Sequence, residues 1–270
     1  MKNLIKIICT ILIITVLSVG CTNKTEPDAT DVTNDDSNDE TVPNNDTENA
    51  INEEEADGVE ADPIVDLIDI INDESKTVLV NKFNSLGEDY TPDDLVTVTV
   101  PTILENPEVN QLTEIASTAL SDMFAAAEKE DLFLFARSGF RSYNTQIHLF
   151  NGYAEKHGEE AANTYSAKPG FSEHQTGLVM DITSESVQFQ LTEQFGETPE
   201  GKWVEENAHD FGFIVRYPKV KEDITGYIYE PWHLRYLGKD VATAVYESDV
   251  TYEEFLVEKG IIDNVQHEKE

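Results

Sequence analysis

From residue 26 to residue 62 the chain is built largely from Asp, Glu, Asn and Thr, with almost no large apolar side chain; by residue 76 that composition has given way to a globular one. A segment without apolar surface to bury cannot offset the entropy lost on ordering it. It reads as an extended, self-repelling tether, and the foldable part of the chain lies on its C-terminal side. The globular composition runs from about residue 76 to residue 262 with no internal repeat. That length suits one domain with a sizeable core.

Charge and the first residues narrow the setting. The chain carries 54 Asp and Glu against 18 Lys and Arg, a formal net charge of -36. Phosphate backbones are bound by clustered Lys and Arg, so this balance argues against nucleic acid as a partner and against electrostatic adhesion to anionic lipid. Lys2 and Lys6 precede an apolar run from Ile7 to Val19. A basic start and a run shorter than the roughly 20 residues of a spanning helix have the layout of a secretion signal. Small residues then lead into Cys21, although Ser18 stands where lipoprotein signals usually carry a larger aliphatic side chain. The expectation is a lipoprotein signal peptide over residues 1–20, a lipid anchor on Cys21, an acidic tether over 21–75 and a globular domain over 76–270. That domain would lie outside the cytoplasm, anchored to the cell membrane. Cys9 falls inside the signal and Cys21 is the only other cysteine, so the domain must stand on an ordinary core or a metal and not on disulfides.

Apolar spacing at Leu112, Ile115, Ala116, Ala119, Leu120 and Met123 predicts a helix within residues 110–129. Further helices are expected over 143–157 and 200–211, the last packing through Trp203, Val204 and Phe211. Short extended runs are expected from residue 77, and at 96–100, 132–136, 178–182, 213–217 and 226–230. Helices mixed with short strands in no regular alternation indicate an α+β fold.

Two clusters stand out. The first is Ser172-Glu173-His174-Gln175-Thr176-Gly177-Leu178-Val179-Met180-Asp181; the second is Glu230-Pro231-Trp232-His233. Together they offer two imidazoles, a metal-type carboxylate and a spare carboxylate. Two His and one Asp are a known three-ligand zinc set that leaves a fourth position for water, and zinc lowers the pKa of such a water to about 7. Hydrolysis then needs a carboxylate base beside it, for which Glu230 is placed by sequence. Strand alternation would put Asp181 and Val179 on one face and Leu178, Met180 and Ile182 on the other, making one face site and the other core. Pro231 disfavours a helical Glu230, so Glu230 is expected to end an extended segment, after which the chain turns and brings His233 near. Each of these residues taken singly has a plain alternative, as a surface charge or a core residue. His148, His157, His209 and His267 read as structural or surface residues.

The pattern Ser172-x-His174-x-x-Gly177-x-Val179-x-Asp181, followed by Glu230-Pro231-Trp232-His233, resembles the VanY-like family of D-alanyl-D-alanine carboxypeptidases, which also includes L,D-carboxypeptidases. The likeness extends in order through Leu79 to Asn84, Asp89 to Leu95, Ser138-Gly139-Phe140-Arg141-Ser142, Gly212 to Pro218 and Glu230 to Gly238. One departure is Val179, where the family usually has Ala, which bears on pocket width. The resemblance implies a mainly antiparallel sheet flanked by helices, of the Hedgehog/DD-peptidase type, with a zinc site on the sheet. It implies Zn2+ as cofactor, His174, Asp181 and His233 as its ligands and Glu230 as the catalytic base. Arg141 would contact substrate and stabilise the oxyanion, which suits a guanidinium. Ser172 and Gln146 are weaker candidates for substrate contacts, and Arg137 and Arg216 read as structural. A 2-His-1-carboxylate set also holds iron, but Glu230 beside the second His, together with the resemblance, favours zinc. The implied activity is removal of the C-terminal D-alanine from peptidoglycan stem peptides, D,D in the first reading. L,D-carboxypeptidase action on tetrapeptide stems is the alternative. A non-catalytic peptidoglycan-binding module and a related zinc endopeptidase or amidase are the rival classes.

Overall fold

The computed structural model describes residues 62–267; the expected signal, Cys21 and the tether up to residue 61 lie outside the described residues. Strands β1 (Leu95–Thr97) and β2 (Gln111–Thr113) pair antiparallel and lead into helix α1 (Glu114–Glu128). Then come β3 (Phe135–Ser138), α2 (Tyr143–His157), α3 (Glu159–Asn163), β4 (Val179–Thr183), α4 (Pro199–Asn207), β5 (Phe213–Tyr217), α5 (Glu222–Thr225), β6 (Glu230–Tyr236), α6 (Lys239–Ser248) and α7 (Tyr252–Glu258). The last four strands form an antiparallel sheet in the order β3-β4-β6-β5. This is the α+β architecture expected from the sequence. Among the described residues no helix is long and apolar enough to cross a membrane.

Local chemistry explains most of the boundaries. Ser142 caps α2 by accepting a hydrogen bond from the Thr145 amide at 3.2 Å, and Gly158, at φ 87°, ends it. The helix therefore occupies the range expected for it. The run 110–129 divides: its first residues pair with β1, and the rest form α1. Ala116, Leu120, Met123, Phe124 and Ala127 of α1 are buried, whereas Ile115 is 49% exposed. These side chains join Trp203 and Val204 of α4 against Met180, Ile182 and Leu234 of the sheet in one core. A second core gathers Ile214, Leu237, Val241 and Val245 with Tyr252, Phe255 and Leu256 of α7.

Three expectations are corrected. The aromatic run 226–229 is not a strand: it lies beyond the end of β5, and the Ile228 amide bonds to the Thr164 carbonyl instead of a neighbouring strand. Glu230 begins β6 and does not end an extended segment; the strand continues through His233. Residues from 77 form no strand; Thr77, Val78, Leu79 and Val80 are a buried arm against the domain. The packed chain also reaches back before residue 76, since Ile64, Ile68 and Ile70 lie against the second core.

Two features of the sheet position the site. Both central strands, β4 and β6, are buried along their whole length, and Asp181 pairs directly with His233 across them. Between Val215 and Tyr217 of β5 the register on β6 jumps from Leu234 to Glu230, so β6 carries extra residues there. Residues three apart on a regular strand face opposite ways. The bulge removes that alternation and lets Glu230 and His233 meet.

Candidate active site

His174 and Asp181 are supplied by adjacent pieces of chain. His174 lies on a 3-10 turn (Glu173–Thr176), closed by Gly177 at φ 65°, and β4 follows at once. A left-handed residue with β1 and β2 packed on it favours glycine: a Cβ at Gly177 would lie 2.8 Å from Leu95 Cδ2. The His174 Nδ1 sits 2.7 Å from the Gly139 carbonyl. A carbonyl only accepts, so Nδ1 carries the proton and Nε2 offers a lone pair. Gly139 is itself wedged, because a Cβ there would press on the Gln111 carbonyl and lie 2.8 Å from Met180 Cε. We expect Gly139→Ala to cost ~1–3 kcal/mol through overpacking and to reduce the metal content of the purified protein; urea unfolding and elemental analysis check both.

The three expected ligands converge. His174 Nε2 lies 3.4 Å from Asp181 Oδ2, and His233 Nδ1 lies 3.3 Å from Asp181 Oδ1. One ligand atom from each of His174, Asp181 and His233 fits within 4.8 Å of the others, and all three residues are buried. On its other side His233 Nε2 stands 3.3 Å from Glu173 Oε2. Glu173 is ionised, held well below the usual carboxylate range: burial pushes it up, and Arg216, Arg235 and His233 outweigh that. With Nε2–H directed at this carboxylate, Nδ1 is the His233 nitrogen that faces the centre.

These residues fit a cation. Two imidazole nitrogens and a carboxylate point at one another, and buried Asp181 Oδ1 accepts no hydrogen bond. Burial, with the nearby Arg141 charge, lowers His174 to about 3, so its imidazole is neutral. Burial alone would lower His233, but the Asp181, Glu173 and Glu230 carboxylates around it raise it to about 9, so a cation bound here would take the place of a proton on Nδ1. The centre therefore attracts positive charge, and a cation that displaces the His233 proton would meet two imidazole nitrogens and one carboxylate oxygen, a set that suits zinc.

Glu230 Oε2 lies 3.6 Å from His233 Nδ1. Burial pushes the Glu230 carboxyl up to about 8, with Asp181 adding to the rise and His233 and Arg141 opposing it. It is a carboxyl group of high proton affinity at the edge of the ligand cluster, which a cation bound there would help to ionise. Arg141 lies across the cluster, its Nη2 3.7 Å from Asp181 Oδ2, and its buried Nε has no hydrogen-bond partner. All of these groups open onto one cavity of about 320 Å³, walled further by Ser172, Tyr153, Tyr165, Tyr217 and Tyr227.

Gln146 is placed differently from the expected substrate contact. It is 1% exposed, accepts from Arg141 Nη1 at 2.9 Å, and donates to the Ala167 carbonyl at 2.7 Å and the Ser166 hydroxyl at 3.3 Å. Its amide holds Arg141 in place from behind. Val179 is fully buried opposite Arg235 and does not line the cavity, so its extra bulk leaves the pocket width unchanged. Sequence reasoning missed Glu173, although it stands between two residues of the motif, and it missed the four tyrosines, for which the sequence carries no signal. Arg216 is structural, as expected, and bridges Glu173 and Glu253. His209 stacks on Tyr246 with ring centroids 3.8 Å apart, away from the site.

An α+β fold that buries two imidazoles and a carboxylate on its central strands, with a further carboxylate and a guanidinium alongside, is an arrangement suited to metal-dependent hydrolysis. Comparison with known proteins places it. Residues 109–239 match the family model described as VanY, D-alanyl-D-alanine carboxypeptidase. A putative carboxypeptidase, YodJ, of Bacillus subtilis (strain 168) is 49% identical over 187 residues, covering 69% of this chain and 68% of the relative. The chain belongs to the VanY family of D-alanyl-D-alanine carboxypeptidases. A D-alanyl-D-alanine carboxypeptidase of Enterococcus faecalis (strain ATCC 700802 / V583) is 36% identical, the match covering 52% of this chain and 53% of the relative. Among solved structures, the LdcB LD-carboxypeptidase matches with a TM-score of 0.67 and 46% identity, over 72% of this chain and 89% of that one. A vancomycin-resistance D,D-pentapeptidase VanY, solved as a mutant with Zn(II), matches with a TM-score of 0.54 and 33% identity, over 68% of this chain and 99% of that one.

Proposed function

We propose that the protein is a zinc-dependent carboxypeptidase that removes the terminal D-alanine from peptidoglycan stem peptides. The observation that carries this reading is the convergence of His174, Asp181 and His233 in one cavity with Glu230 and Arg141. His174 Nε2, an Asp181 oxygen and His233 Nδ1 would hold the ion. Bound there, zinc supplies a Lewis acid and a water acidified to a pKa of about 7.

The chain's own residues do the rest. Glu230, which a cation beside it would keep ionised, takes the proton of the attacking water and returns it to the departing amine. Arg141, fixed by Gln146, lines the cavity and presents its guanidinium to the substrate carboxylate or the oxygen on which negative charge develops. The buried walls exclude bulk water and strengthen each of these interactions. A purely binding module would need none of this constellation, and all of it is present.

The bond's stereochemistry has support on both sides. The family description and the D,D-pentapeptidase favour a D-Ala-D-Ala terminus; the higher identity and TM-score of the LD-carboxypeptidase favour an L,D-linked D-alanine. The deciding experiment incubates zinc-loaded protein with pentapeptide and tetrapeptide muropeptides and reads the products by mass spectrometry. Loss of one alanine from the pentapeptide establishes the D,D activity. Loss from the tetrapeptide alone assigns the L,D activity. Cleavage of neither substrate by zinc-bound protein overturns the carboxypeptidase reading.

A further inference from the structure

The metal cluster is backed by a second buried layer of charge that hydrolysis itself does not use. Glu173 Oε1 accepts from Arg216 Nε at 2.9 Å and from Arg235 Nη1 at 2.8 Å. Arg216 turns its other two nitrogens onto Glu253 of α7, at 2.8 and 2.6 Å. Arg235 donates to the carbonyls of Val78 at 2.7 Å and Lys76 at 3.1 Å and to its own neighbour Tyr236 at 3.1 Å. Asn81 donates to Glu253 at 3.2 Å. Both guanidinium groups and Glu173 have no exposed side-chain surface.

The arrangement directs Glu173. Two carboxylates face two guanidinium groups, so the cluster balances its charge without help from an imidazole. One Glu173 oxygen takes both guanidinium donors, while the other, Oε2, is turned to His233 Nε2 at 3.3 Å. A stability-only ion cluster has no need of that last contact. A carboxylate fixed on the far nitrogen of a ligand imidazole sets its tautomer and ring orientation and raises its basicity.

We propose that Glu173 is a positioning residue for the metal centre: clamped by Arg216 and Arg235, it holds the His233 imidazole with Nε2 protonated and Nδ1 aimed at the ion. The clamp ties the centre to the arm at residues 76–81 and, through Glu253, to α7. It rests on the zinc reading above.

The test compares zinc affinity by chelator competition, and the visible spectrum of the cobalt-substituted protein, across full-length variants. Wild type and His174→Ala are the references. Glu173→Ala is expected to weaken zinc binding about 10–100-fold and to alter the cobalt spectrum. Glu173→Gln keeps an acceptor of nearly the same shape and is expected to fall between, with the ligand geometry partly rescued; it also keeps the test decisive if the alanine variant does not fold. Glu253→Gln disturbs the same cluster one step further away, and should lower thermal stability while leaving zinc affinity within about threefold of wild type. Two results overturn the proposal: Glu173→Ala and Glu173→Gln binding zinc as wild type does, or Glu253→Gln losing as much zinc affinity as they do. Wild type that binds no zinc, or His174→Ala that binds it as tightly as wild type, would instead overturn the metal reading beneath it.

Discussion

Replacing Glu230 by Gln should lower turnover about 10²–10⁴-fold, the usual contribution of a positioned acid or base, while leaving the fold and zinc content intact. The substitution keeps the shape of a buried side chain and removes only its ability to take a proton. Glu230 touches the ligand cluster at 3.6 Å through His233 but is not one of the three converging ligands. Activity and metal content should therefore separate. Steady-state release of D-alanine, measured beside zinc stoichiometry, checks this. A variant that loses zinc in proportion to activity would make Glu230 a ligand; one that keeps full activity would remove it from the mechanism.

The second large effect falls on stability. Arg216 is fully enclosed and bridges two buried carboxylates, Glu173 and Glu253. Breaking a buried ionic cluster by deleting one partner costs about 3–5 kcal/mol, because the opposite charges remain unpaired. Arg216→Ala should cost about that, since it leaves Glu253 without a cationic partner and Glu173 with Arg235 as its remaining guanidinium. In a domain of this size the loss corresponds to a fall in melting temperature of roughly 6–20 °C. Chemical denaturation of the metal-free protein isolates this term from metal binding. A loss below about 1 kcal/mol would mean that the cluster is solvated or rearranges.

Legibility in the sequence followed how local each determinant is. Helix α2 and strand β5 have the expected bounds because their signals lie within their own residues: the Ser142 and Gly158 caps in one case, a short apolar run bounded by Gly212 and Pro218 in the other. Residues 226–229 have strand-like composition but meet no neighbouring strand, and composition does not report partners. The ligand trio and Glu230 were legible because they fall within two short motifs. The roles of Glu173 and Gln146 were not. Glu173 acquires its meaning from Arg216, Arg235 and Glu253, far off in the chain and brought in by sheet register and the docking of α7. Gln146 had the right neighbour, Arg141, but its burial behind the cavity depends on where residues 166–167 pass.

The bulge in β6 also separates two kinds of tolerance in the molecule. Glu230 and His233 are spaced by covalent chain within one strand, whereas His174 and Asp181 reach His233 only through folding. Loosening the packing between β4 and β6 scatters the ligands yet leaves the base beside its imidazole. Adding or removing a residue within 230–233 does the reverse, preserving the folded sheet while turning the base away. The site thus answers to two different errors, one of assembly and one of counting, and only the first can be mended by a more stable fold.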